Sequence, residues 1–150
     1  MSAVKLLLII TVFIVINSTI TKAQNGNIHI PLGGNCFLTS ANQTEDQISD
    51  EGITNWQDVA SVFSVYFRTE KACSVQLGLE ASIPAGSSSI ALITDSTSYP
   101  LTITGSSLHT VFADGSIMLK PGYTKISLKG LQKTGEQFAL VKNLVIKTDT

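Results

Sequence analysis

The chain has 150 residues, 43% hydrophobic, 14% charged and 7% aromatic, with a formal net charge of −1. Its 10 basic residues face 11 acidic ones, and Arg68 is the single arginine; that balance excludes a protein that grips nucleic acid through clustered Lys and Arg. Two cysteines with no histidine at ligand spacing leave a zinc site unsupported.

In chain order, the first element is a leader. Lys5 precedes the apolar runs Leu6 to Ile10 and Val12 to Ile16, and Thr21-Lys22-Ala23 forms a small-residue exit. The run is shorter than the roughly 20 residues of a bilayer span and is broken by Asn17, Ser18 and Thr19. Residues 1–23 read as a secretory signal peptide, with an uncleaved anchor as the alternative. Residues 24–150 then form one mature domain, secreted or periplasmic and without a membrane span, with 8 bases left against 11 acids.

Period-2 alternation dominates the rest. From Ser61 to Arg68, Phe63, Val65 and Phe67 point one way while Val62, Ser64, Tyr66 and Arg68 point the other. Cys73 to Ile83 repeats the pattern, with Val75, Leu77, Leu79 and Ala81 on a core face and Ser74, Gln76, Gly78, Glu80 and Ser82 on a solvent face. Turn residues bound further strands at Cys36 to Ser40, Ser89 to Thr94, Tyr99 to Thr104, Leu108 to Phe112, Ser116 to Leu119, Thr124 to Leu128 and Phe138 to Thr148. No stretch carries the apolar stripe of a long helix; a short helical turn fits only Asn55 to Ala60. The expected fold is all-β, two packed antiparallel sheets, in one module with no internal repeat.

Cys36 and Cys73 both lie in the mature chain, in a compartment that permits disulfides, and two cysteines allow one pairing. A bridge is the favoured reading, a pair of buried free thiols the alternative.

PLGGN at Pro31 to Asn35, EGITNW at Glu51 to Trp56, VFSVYFRTEKA and the closing KTGEQFALVKNLVI together resemble a secreted bacterial β-sandwich domain of unknown function. That family is similar to carbohydrate-binding modules and usually stands ahead of another uncharacterised domain. The resemblance covers about Ile28 to Lys147, and the present chain is read as the single module. It implies a jelly-roll or galactose-binding-like sandwich and suggests glycan binding, but it supplies no catalytic or binding residues to carry over.

Trp56, the only tryptophan, precedes the richest β-branched and aromatic run. Exposed, its ring is a platform for a sugar face; buried, it caps one end of the sandwich, which its position suits best. Tyr66 and Arg68, outward on their strand, pair a ring with a planar cation fit for a hydroxyl or carboxylate, the alternative being a solvated face. Asn55 and Glu51 are candidate hydrogen-bonding partners. Tyr99 and Tyr123 adjoin turns, where a tyrosine packs over the turn or joins an end site. Glu45 to Glu51 is rich in carboxylates and invites a structural calcium ion, although its spacing is not that of an EF-hand and a solvated loop is the preferred reading. His29 and His109 belong to no catalytic signature, and Gly33-Gly34 reads as a turn rather than a phosphate loop. Asn42-Gln43-Thr44 has the form of an N-glycosylation acceptor.

The expected function is a non-catalytic binding module for carbohydrate or a surface polymer. A structural or protein-interaction subunit of the envelope is the main rival, and a small hydrolase the third reading.

Overall fold

The computed structural model describes residues 26–41 and 46–148, so the expected signal peptide, the glycosylation sequon and Glu45 lie outside the described residues. Among the described residues there are twelve strands: β1 (Asn27–Pro31), β2 (Cys36–Ser40), β3 (Gln47–Ser49), β4 (Gly52–Thr54), β5 (Val62–Thr69), β6 (Cys73–Ser82), β7 (Ser87–Thr94), β8 (Thr97–Thr104), β9 (His109–Phe112), β10 (Ile117–Leu119), β11 (Gly122–Lys133) and β12 (Leu140–Thr148). They form two antiparallel sheets. One, five-stranded, runs β2-β5-β11-β7-β8; the other, seven-stranded, runs β10-β6-β12-β4-β3, with β1 on β12 and β9 on β6. This is the expected all-β sandwich of the jelly-roll kind.

The alternation seen in the sequence places the core. Phe63 and Val65 of β5 and Val75, Leu77, Leu79 and Ala81 of β6 are buried between the sheets, joined there by Ile126 and Leu128 of β11 and Leu144 and Ile146 of β12. The stiff β-branched residues pack well on these pleated faces. Strands β1, β3 and β4 are additions to the expectation. The Asn55–Ala60 stretch is no helical turn but an irregular loop in which Asn55 takes φ +53°.

The outer face of β6 is less solvated than its polar residues suggest. Gly78 and Ser82 are buried there, as is the outward Val145 on the neighbouring strand. Phe112 of β9 lies over Gly78: a Cβ at that position would meet the Phe112 ring at 2.7 Å. The glycine leaves the room that the ring fills.

Trp56 answers the question of its own position. It is 0% exposed, packs edge-on against Phe63 at a centroid distance of 5.0 Å and tilted against Phe138 at 5.3 Å, and donates its indole N–H to the carbonyl of Asp58 at 3.2 Å. The chain leaves the seven-stranded sheet for the five-stranded one through the β4–β5 loop, and returns through the β11–β12 loop; Phe138 N–H donates to Trp56 O at 2.8 Å, so the two crossovers are tied at one end of the sandwich. Phe138 in turn rests on Gly130, where a Cβ would come within 2.5 Å of its ring.

The expected disulfide is corrected: Cys36 and Cys73 are free. Cys36 stands in the five-stranded sheet opposite Val65, whereas Cys73 opens β6 in the other sheet opposite Leu119. The two thiols therefore sit in different surroundings, Cys36 buried within the five-stranded sheet and Cys73 half-buried at the start of β6. Burial disfavours the Cys36 thiolate and pushes the thiol pKa up to about 11.

Candidate functional site

The outer face of the five-stranded sheet carries the candidate site. On β5 the core positions Phe63, Val65 and Phe67 alternate with Ser64, Tyr66 and Arg68, so Tyr66 and Arg68 face out as expected, and both are exposed. The register supplies neighbours that reading β5 alone misses. Tyr123 of β11 stands opposite Arg68, Lys125 opposite Tyr66, and Phe37 of β2 opposite Ser64. Tyr123 is 82% exposed, Phe37 57% and Tyr66 47%. The rings of Phe37 and Tyr66 meet edge-on, their centroids 6.3 Å apart.

Beneath the rings the floor is polar and satisfied. Ser64 Oγ is hydrogen-bonded to Thr39 Oγ1 at 2.9 Å and to Ser127 Oγ at 3.1 Å, and Thr39 Oγ1 also donates to the carbonyl of Val62 at 3.1 Å. This chain of hydroxyls stitches β2, β5 and β11 together on the outside, as the apolar layer does on the inside. At the Tyr123 end the face opens into a cleft of about 330 Å³ between the β7–β8 turn and the segment before β11, bordered by Asp95, Thr97, Met118, Lys120, Tyr123 and Lys125. A second hollow, of about 350 Å³, lies on the face itself among Val62, Ile93, Asp95, Lys125 and Ser127, so Asp95 and Lys125 border both.

Trp56, Asn55 and Glu51 do not join this face. Trp56 is buried core, so it is no sugar platform: both ring faces and its N–H are used inside the protein. Asn55 lies in the loop ahead of it, where its side-chain oxygen accepts from Gln57 Nε2 at 2.8 Å. Glu51 is exposed in the β3–β4 turn of the opposite sheet and borders a separate hollow with Thr54, Ser82, Leu108 and Lys142. Tyr99 is half-buried against the core and Tyr123 stands out into solvent, and the two border the same cleft beside the β7–β8 turn.

Nor is the acidic stretch a solvated loop throughout. Asp46 is buried, and its carboxylate accepts from the backbone N–H of Gln57 at 2.8 Å and of Asp58 at 3.2 Å, fixing the loop that carries Trp56. Among the described residues no group of three or more His, Cys, Asp or Glu is placed to hold a metal ion. His29 has a structural setting on the outer face of the seven-stranded sheet: Nδ1 lies 3.3 Å from a Glu80 oxygen that also accepts from Asn143 Nδ2. The amide hydrogen bond foremost, then the histidine, hold the Glu80 carboxyl below its ordinary pKa.

Comparison with known proteins places the fold. The family model described as Domain of unknown function (DUF5077) matches residues 30–150. No curated protein matches the chain. Among solved structures, the Podospora anserina GH26-CBM35 β-(1,4)-mannanase is similar at a TM-score of 0.63 and 13% identity, over 85% of this chain and 28% of the mannanase; the chain thus spans under a third of that enzyme. A family 35 carbohydrate-binding module from Clostridium thermocellum is similar at a TM-score of 0.57 and 12% identity, over 81% of this chain and 97% of the module. The CBM35 from Cellvibrio japonicus Abf62 follows at 0.55 and 11%, over 83% and 95%. At such identities the likeness is one of fold.

Proposed function

The chain belongs to the family described as Domain of unknown function (DUF5077), and from that premise we propose that it is a secreted, non-catalytic module that binds carbohydrate on the outer face of its five-stranded sheet. The observation that carries this reading is the exposed pair of Tyr66 and Arg68, set among further exposed rings on a rigid, hydrogen-bonded floor. An aromatic face offers a sugar ring a flat, weakly polar surface, and a guanidinium donates to hydroxyl or carboxylate oxygens in a fixed fork. Side chains held by strands need little ordering on binding. The sandwich shared with family 35 modules is consistent with this role. Secretion rests on the leader at residues 1–23, and the non-catalytic reading on the lack of a recognised catalytic signature in the sequence.

The test is native affinity electrophoresis of the mature chain in gels cast with a panel of soluble polysaccharides. Retardation by at least one polymer, abolished in Tyr66→Ala while the melting temperature stays within a few degrees, supports the reading. Migration unaffected by every polymer refutes it.

A second reading, a structural or protein-interaction subunit of the envelope, is favoured by β2: an edge strand whose Phe37 and Leu38 are both exposed. Concentration-dependent association in sedimentation, lost in Phe37→Ser, would favour it over glycan binding.

A further inference from the structure

The exposed rings of the five-stranded sheet are not scattered. Phe37 stands opposite Ser64 on β2; Tyr66 is one strand over and two residues along; Tyr123, opposite Arg68, is one strand further and two residues further in the same direction. At roughly 4.8 Å between strands and 3.3 Å per residue, each step along the backbone is about 8 Å, so the three positions mark a straight diagonal of about 16 Å, along which the Phe37 and Tyr66 ring centroids stand 6.3 Å apart. Across the second step the register makes a square. Tyr66 and Tyr123 occupy one diagonal of it, and the two cations Arg68 and Lys125 occupy the other.

The charge of this sheet is as ordered as its rings. The chain has 11 acidic residues, yet none lies on β2, β5, β7, β8 or β11, whereas these strands carry Arg68, Lys125, Lys129 and Lys133. Lys133 is taken up by Glu136 O and the Phe138 ring. Arg68, Lys125 and Lys129 form no ion pair among the described residues. Asp95, at the tip of the β7–β8 turn, borders the face, and Glu70 follows the end of β5 two residues past Arg68. A protein of net charge −1 thus presents, on one sheet, a face of rings and unpaired cations.

We propose that this face is a track for an extended acidic polysaccharide, laid along the Phe37–Tyr66–Tyr123 diagonal with its carboxylates or sulfates on Arg68 and Lys125. The inference rests on the carbohydrate-binding reading above and adds two requirements to it, chain length and negative charge. A row of three stations fits the interior of a polymer, because a single terminal sugar covers only one of them. Arginine and lysine donate and never accept, so the charged positions beside the rings call for ligand groups rich in acceptor oxygens. The cleft beyond Tyr123 lets the chain run on past the sheet. Single-stranded nucleic acid also stacks on rings beside cations, but the even overall charge and the small number of free cations favour the glycan.

The experiment uses the mature chain in affinity electrophoresis with paired polymers: carboxymethylcellulose against hydroxyethylcellulose, polygalacturonate against its methyl ester, and polymannuronate against neutral mannan, with oligo(dT) as a further arm. At least one acidic polymer is expected to bind about tenfold tighter than its neutral counterpart, with that advantage lost in 0.5 M salt. Phe37→Ala, Tyr66→Ala and Tyr123→Ala should each weaken it about tenfold, a stacking-sized loss. Arg68→Gln with Lys125→Gln should abolish the acidic preference, and hexasaccharides should bind about tenfold tighter than disaccharides. Thermal melts keep the proposal testable, since every one of these side chains is exposed and the variants should stay folded. Equal binding of acidic and neutral partners, or equal binding of disaccharide and hexasaccharide, overturns the track while leaving the broader carbohydrate reading intact. Binding of no glycan sinks both, and tighter binding of oligo(dT) than of any acidic glycan replaces the occupant.

Discussion

Trp56→Ala separates core from site most sharply. A tryptophan buries about 150–250 Å² on folding, and at about 25 cal/mol per Å² the side chain contributes about 4–6 kcal/mol as an upper figure. Here the whole ring is enclosed, the truncation leaves a cavity between Phe63 and Phe138, and the Asp58 carbonyl loses the indole donor. The expected loss is about 3–5 kcal/mol, from a total stability on the order of 5–15 kcal/mol. Chemical denaturation followed by circular dichroism should show that loss as a lower midpoint, and a thermal scan should show a drop of about 10–20 °C. The wild-type chain offers an internal control: its one tryptophan reports unfolding by fluorescence, with emission moving to the red as the indole meets water. A Trp56→Ala variant that melts within 2 °C of wild type by circular dichroism would refute the argument, because no ring enclosed on both faces can be removed that cheaply.

Four further outcomes follow from the same geometry. Tyr66→Ala and Tyr123→Ala, which remove exposed rings, should shift stability by no more than about 0.5 kcal/mol in urea unfolding. Intact mass should not change by the 2 Da of a reduced bridge when the native chain is treated with reductant, since both cysteines are free; in a Cys73→Ser background, Cys36, its pKa pushed up to about 11, should resist alkylation near neutral pH until the chain unfolds. Gly130→Ala should cost about 1–3 kcal/mol, because the added methyl would meet the Phe138 ring at 2.5 Å; a melt equal to wild type would deny that close approach. Glu80 is held below its ordinary pKa by Asn143 and His29, so its contribution is complete above the unfolded carboxylate value of about 4.3 and is lost as pH falls through the lower folded value. Acid unfolding of Glu80→Gln should accordingly lack that part of the pH dependence.

What the sequence discloses about this fold and what it conceals divide along a physical line. Alternation is a local property: a strand with one buried face must place its apolar residues at every second position, so Phe63 and Val65 announce the core and Tyr66 and Arg68 the outside before any partner strand is known. β3 and β4, of three residues each, are too short to show a period, and β1 is carried by its pairing with β12 rather than by apolar content. Trp56 is ambiguous for a different reason. A large ring beside a turn has the same sequence signature whether it closes the sandwich or looks outward, and the choice is made by Phe138, which lies 82 residues away and meets it at 5.3 Å. The cysteines fail likewise, because compartment and count permit a bridge without fixing where the two thiols sit, and the fold sets them on different sheets, both free. The candidate track is hidden most completely. Tyr66 and Tyr123, 57 residues apart, become neighbours only because β11 pairs beside β5 in the register that sets Tyr123 against Arg68 and Lys125 against Tyr66. A slip of one residue in that pairing would turn Tyr123 and Lys125 inward and Thr124 and Ile126 outward. Burial of Ile126 and Leu128 excludes that slip. The apolar residues of β11, chosen for the core, therefore also fix which ring and which cation stand side by side on the face where a ligand would lie.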